Sequence, residues 1–154
     1  MLREGEKAPA FTLPDDNGEV RDLSDFADKK KVIYFYPRDN TPGCTKEACG
    51  FRDMYETILA TGAVVIGISP DSVRSHASFK TRYDLPFFLL SDPEKKVIRA
   101  YGALTVRKVK GEEKERVRRC TYIIDEHDVI RAVFPDVRPE EHAREVLEIL
   151  SRME

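Results

Sequence analysis

An apolar, β-type run from Val32 to Tyr36 stops at Pro37, and after the polar residues Arg38-Asp39-Asn40 the pair Thr41-Pro42 opens a helix. This strand, turn and helix start constrain the fold more than any other stretch. Thr41 suits the N-cap, and Pro42 suits the first helical position, where its missing N–H is no loss. Helical spacing continues through Ala48, Phe51, Tyr55, Ile58 and Leu59, and Gly62 supplies a stop. Cys44 therefore falls in the first helical turn, where backbone N–H groups lack partners and the helix dipole favours an anion. Thiols at helix N-termini drop from about 8.5 into roughly the 3.5–7.5 range and become nucleophiles near neutral pH. Cys44 is the candidate nucleophile.

The rest of the chain alternates strand and helix patterns. Asn17-Gly18 between Phe11-Thr12-Leu13 and Val20 predicts an N-terminal hairpin. Leu23 to Phe26 reads as a short turn before the first central strand, Lys31 to Tyr36. Ala63 to Ser69 is continuously apolar and β-branched, as in a strand covered on both faces of a parallel sheet. Asp71 and Ser72 precede a helix carrying Val73, His76, Phe79 and Tyr83. Phe87 to Leu90 is a short strand, and Asp92-Pro93 opens a helix that Gly102 closes. Arg107 to Arg118 reads as a solvated hairpin, residues 121–125 and 129–134 as strands, and Pro139 as the start of a last helix. The expectation is one α/β domain over residues 1–154, with a central mixed, mostly parallel sheet flanked by helices.

A net charge of −2 argues against a nucleic-acid partner. No apolar run is long enough to span a membrane, and Met1 to Gly5 opens no secretory signal, so the cytoplasm is the expected location. In a reducing compartment, three cysteines point to catalysis or redox sensing rather than to a disulfide framework. Cys44 and Cys49 on one helix would have Cα atoms about 8.6 Å apart and turned away from each other. A disulfide needs roughly 7 Å or less, so bonding would unwind the first turns. Cys49 is equally readable as a core residue, and Cys120 more readily so. Metal-ligand spacing is absent, with His76, His127 and His142 scattered singly, and no cofactor motif is present. A cysteine hydrolase would need one of those histidines as its base, and none is singled out locally. Lys29-Lys30-Lys31 reads as a solvated loop.

Pro37-x-x-x-Thr41-x-x-Cys44 resembles the active-site signature of the peroxiredoxins. Its extension Thr41-Pro42-Gly43-Cys44-Thr45-x-Glu47-Ala48-Cys49 is similar to the bacterioferritin comigratory protein, or peroxiredoxin Q, class. Gly5-Glu6-Lys7-Ala8-Pro9-x-Phe11, Val64 to Asp71, Leu90-Ser91-Asp92 and Arg119-x-Thr121-Tyr122-Ile123-Ile124-Asp125 extend the likeness over nearly the whole chain.

The resemblance implies a thioredoxin-like fold with an N-terminal β-hairpin extension, and reduction of hydroperoxides without metal, flavin or nicotinamide. Cys44 would be the peroxidatic cysteine, Thr41 would hydrogen-bond thiolate and peroxide, and Pro37 would shield the sulfur. Arg119 would be the family arginine, with Arg116 and Arg118 as rivals for the cationic role. The N–H groups of Gly43 and Cys44 would face the peroxide, and Glu47 would orient an arginine unless it is simply a solubilising surface residue. Cys49 would resolve the sulfenic acid as a Cys44–Cys49 disulfide, recycled by a thioredoxin-type reductant. Gly43 and Gly50 weaken a helix by about 1 kcal/mol each relative to Ala, which suits a segment that must melt and reform. The end at Ser151-Arg152-Met153-Glu154 lacks a C-terminal arm with a resolving cysteine, so a monomer or weak homodimer is expected. Two alternatives stand beside this: a protein thiol–disulfide oxidoreductase, which the C-x4-C spacing disfavours, and a redox-sensing, chaperone-like protein.

The chain has no Gln, no Trp and only two Asn, against 26 Lys+Arg and 28 Asp+Glu. Depletion of labile amides with charge enrichment is a mark of heat-adapted proteins. Calorimetry is expected to place the melting midpoint above about 65 °C, the upper end of the mesophile range. A midpoint inside that range would contradict heat adaptation.

Overall fold

The computed structural model describes residues 1–153. Its centre is β3 (Lys30–Phe35), every residue of which is buried. β3 lies in the middle of a five-stranded sheet of order β5-β4-β3-β8-β9. The neighbours are β4 (Ala63–Ser69), β5 (Phe88–Ser91), β8 (Cys120–Ile124) and β9 (Ile130–Phe134). β3, β4 and β5 pair in parallel, while β8 is antiparallel to both β3 and β9. Four strands thus point one way and β8 alone opposes them, the mixed, mostly parallel sheet expected.

Alternation along β3 divides the core in two, because successive side chains leave opposite faces. Ile33 and Phe35 join Phe11, Ile98, Tyr101 and Tyr122 on one face. Val32, Tyr34 and Tyr36 join Cys44, Phe51, Phe79 and Val146 on the other. The second face is covered by α1 (Pro42–Asp53), α2 (Tyr55–Ala60), α3 (Val73–Tyr83) and α5 (His142–Arg152). The first is covered by α4 (Lys96–Ala100) and by the hairpin of β1 (Thr12–Pro14) and β2 (Val20–Asp22). Gly67 in mid-β4 has a packing reason: a Cβ there would lie 2.8 Å from the Tyr34 ring that crosses over it.

Four expectations need correction. The helix opened by Thr41-Pro42 is not continuous to Leu59. It breaks at Met54, whose N–H is shared between the Gly50 and Arg52 carbonyls, and α2 restarts with Tyr55 edge-on to Phe87 at 5.7 Å. α4 begins at Lys96 rather than at Asp92-Pro93, because Lys95 is left-handed (φ 60°). Asp92 caps it from a distance, accepting from Lys96 N at 3.2 Å and Ile98 N at 2.9 Å. Pro139-Glu140-Glu141 forms a turn, and α5 starts only at His142. Lys30 belongs to β3 instead of a solvated loop, and Lys31, expected at the start of that strand, is buried rather than solvated, its charge matched by Asp128 at 2.8 Å.

Residues 104–117 do form the solvated hairpin, as β6 (Leu104–Val109) and β7 (Glu112–Val117) turning at left-handed Lys110 and Gly111. Among the described residues no helix is long and apolar enough to cross a membrane.

Candidate active site

Two chain segments far apart in sequence reach the same end of the sheet. β3 runs into Tyr36 and Pro37 and then the loop that starts α1. β8 is antiparallel to β3 with Phe35 opposite Cys120, so Arg119, just before β8, arrives where β3 ends. Sheet register therefore brings Arg119 to α1 across 75 residues of sequence.

Cys44 sits in the first turn of α1 and is 1% exposed. Arg119 Nη2 donates to Cys44 Sγ at 3.3 Å, and Nη1 donates to Glu47 Oε1 at 3.0 Å. One guanidinium thus spans two side chains one helical turn apart. Gly43 makes room for it: a Cβ at that position would meet Arg119 Nη2 at 3.0 Å. This steric role of Gly43 was not evident in the sequence, where its N–H and its weakening of the helix were considered. Arg116 and Arg118 instead line a shallow cleft of about 370 Å³ beside Pro37 and Arg119, so the sulfur's partner is Arg119.

Glu47 is no surface residue. Its side chain has no exposure, and Oε2 has no hydrogen-bond partner among the described residues. Burial is the main cause that raises its pKa to about 7, with Arg119 pulling the other way. Burial tends to lower the Arg119 pKa, but Cys44 and Glu47 beside it leave it raised above the ordinary guanidinium value.

Thr41 occupies the N-cap position, and the Thr45 N–H closes the first helical bond on its carbonyl at 2.9 Å. Its hydroxyl does not cap the helix, however, and is not bonded to Cys44. It donates to the Arg38 carbonyl at 3.0 Å, so no side chain caps the N–H groups of Gly43 and Cys44. Pro42 takes the first helical position and is exposed.

Cys49 is half-buried further along α1, and Cys44, Cys49 and Cys120 are all free thiols. With α1 wound over both Cys44 and Cys49, their sulfurs cannot bond without unwinding. Cys120 is fully buried opposite Phe35, and burial drives its pKa up to about 12, the behaviour of a core thiol. No histidine bonds Cys44. His142 is buried with Nε2 2.7 Å from Thr121 Oγ1, and burial, then Arg119, lowers its pKa to about 4. His76 is buried against Asp39. Sequence reasoning weighed His76 only as a metal ligand or a hydrolase base and passed over Asp39; the inward spacing of His76 with Phe79 on α3 was the one available signal.

A guanidinium beside a sulfur at a helix start, with first-turn N–H groups alongside, stabilises negative charge on the sulfur and on an oxygen expelled from the atom that the sulfur attacks. Fold and site together define a thiol-redox protein on a thioredoxin-like scaffold. The chain belongs to the AhpC/TSA family, which it matches over residues 5–133. It is 50% identical over 146 residues to a provisionally named Bcp-type peroxiredoxin of Coxiella burnetii, covering 95% of this chain and 97% of that protein. It is 42% identical over 149 residues to peroxiredoxin Bcp of Bacillus subtilis, covering 97% and 95%. Among solved structures it resembles the bacterioferritin comigratory protein of Xanthomonas campestris, which has alkyl peroxide reduction activity, with TM-score 0.89 and 30% identity over 92% of this chain and 90% of that one.

The raised pKa of Glu47 makes a stability prediction. A carboxyl whose folded pKa lies above its unfolded value contributes stability that is complete below the unfolded value, here 4.5, and lost as pH rises through about 7. Urea unfolding of the parent and of Glu47→Gln at pH 5 and pH 8 is expected to show the parent's advantage shrinking with pH, by on the order of 3 kcal/mol. A difference that is flat or grows with pH would contradict the buried, proton-holding carboxyl.

Proposed function

We propose that Cys44 is the residue at which this thiol-dependent peroxidase reduces hydrogen peroxide and organic hydroperoxides. The carrying observation is the single guanidinium of Arg119 shared between Cys44 Sγ and Glu47 at the start of α1. The Cys44 thiolate attacks the distal peroxide oxygen and the O–O bond breaks. Its electron pair leaves on the other oxygen, which takes a proton and departs as water or alcohol. Cys44 becomes a sulfenic acid. Arg119 and the N–H groups of Gly43 and Cys44 stabilise the charge as it moves from sulfur to oxygen. Thr41 and Pro37 form the loop wall of the pocket, and Glu47 holds the guanidinium in place. At 1% exposure Cys44 suits a small peroxide better than a protein disulfide as its reaction partner.

The second half of the cycle needs α1 to come apart. Cys49 then attacks the sulfenic sulfur, water leaves, and a Cys44–Cys49 disulfide forms within one chain, the atypical two-cysteine mode. A thioredoxin-type dithiol returns both cysteines to thiols. Both cysteines lie on one helix, so turnover needs no second copy, and the proposal is a cytoplasmic monomer or weak homodimer. Neither nucleic acid nor membrane is a partner in this reading.

Cys44→Ser is expected to abolish peroxide consumption. Cys49→Ser is expected to consume about one equivalent and then stall as sulfenic acid, and intact mass with peptide mapping of the parent should find a Cys44–Cys49 crosslink. Turnover surviving in Cys44→Ser, or sustained thioredoxin-driven cycling in Cys49→Ser, would overturn the assignment.

A further inference from the structure

The loop between β3 and α1 is fastened by a hydrogen-bond network the peroxide chemistry does not use. Its hub is Asp39, whose side chain is 1% exposed although it lies in a connecting loop. Tyr36 donates its hydroxyl to Asp39 Oδ1 at 2.6 Å, and Ser75 donates to Oδ2 at 2.8 Å. His76 Nδ1 lies 2.7 Å from the same Oδ2, while its Nε2 lies 3.0 Å from the Leu90 carbonyl. The Asp39 backbone N–H donates to Asp71 Oδ2 at 2.8 Å, and Ser69 donates to that oxygen at 2.6 Å.

Donor accounting makes this more than packing. A carbonyl only accepts, so His76 Nε2 carries a hydrogen toward Leu90. Oδ2 of Asp39 then needs a hydrogen between itself and Nδ1, since two facing lone pairs at 2.7 Å would repel. The pair holds that proton in a fully buried place, where breaking either partner leaves an uncompensated polar group. Such a site has an energetic cost, and it fastens a turn: the next residue, Asn40, stands at φ 64°, in the left-handed region that Asn enters more readily than most side chains.

The anchors of the network have a pattern. They come from the end of β3 (Tyr36), from β4 and the residues after it (Ser69, Asp71), from α3 (Ser75, His76) and from β5 (Leu90). None comes from α1. Unwinding α1 to bring Cys49 to Cys44 therefore breaks no bond of the network. We infer that Asp39 and His76 are positioning residues that lock the Pro37–Thr41 wall of the peroxide pocket in its reactive shape and confine the redox unwinding to α1. The inference rests on the reading of Cys44 as the peroxide-reactive cysteine. In it, the loop is the fixed half of the site and the helix the moving half.

Quenched-flow mass spectrometry separates the two steps: formation of sulfenic acid at Cys44, then loss of water to the disulfide. Both rates are to be measured for the parent, Asp39→Asn, His76→Gln and Ser75→Ala, at a temperature where circular dichroism shows each folded. Misplacing a reacting group by about 1 Å costs up to about 10²-fold. Asp39→Asn and His76→Gln are therefore expected to slow the first step at least about tenfold. Ser75→Ala, which removes one donor from the hub and keeps the pair, is expected to slow it by a smaller factor. The second step should be as fast as in the parent or faster. First-step rates within about twofold of the parent, or equal slowing of both steps, would overturn the lock; if a paired-residue variant does not fold, the Ser75→Ala ratio of the two steps decides. Failure of the parent itself to consume peroxide would instead overturn the peroxidase reading, and is seen before any variant is compared.

Discussion

The site depends on one guanidinium with two acceptors. Arg119 reaches Cys44 Sγ and Glu47 Oε1 at the same time, and that geometry is set by elements with nothing chemical about them. The β3–β8 register delivers Arg119 to the right end of the sheet, and the missing Cβ of Gly43 lets the guanidinium lie against the helix start. Helical spacing then puts Glu47 one turn beyond Cys44, on the same side. A buried carboxylate alone would be costly, as would a buried thiolate. Each becomes tolerable because the cation between them is shared, and Glu47 still has a raised pKa because the cost of its burial exceeds what Arg119 returns.

The same helix is asked for contradictory things. Wound, it gives the sulfur its N–H groups and its arginine. In the proposed cycle it must also unwind, so that Cys49 can approach. The break at Met54 makes α1 a short segment distinct from α2, and Gly43 and Gly50 weaken it. The remainder of the pocket is fastened elsewhere, through Asp39, to strands and to α3. A stable loop beside a meltable helix is a way for one small domain to keep its substrate site while rearranging its sulfurs.

Much of this was legible in the sequence because periodicity reports burial directly. The β-branched run of β4, the apolar run of β3 and the Asn17-Gly18 hairpin all read correctly. The interruption at Met54 and the late start of α5 did not, since a hydrophobic face can continue while the backbone beneath it breaks. Arg119 was identified through the resemblance carried by Arg-x-Thr-Tyr, not through spacing; its approach to Cys44 is a consequence of sheet register, which local sequence does not encode. Glu47 orients an arginine as the resemblance implied, but its burial, and that of Asp39, escaped the sequence for one reason. A charged residue in a helix or loop is usually solvated, and only its distant partners, Arg119 and His76, reveal it as buried.

The most direct test of the shared guanidinium is the second-order rate constant of the Cys44 thiol with hydrogen peroxide in Arg119→Ala, against the parent and under conditions where both are folded. The account predicts a fall on the order of 10² or more, the cost of losing a donor aimed at developing charge. A rate constant equal to the parent's would contradict it and move the cationic role to another arginine.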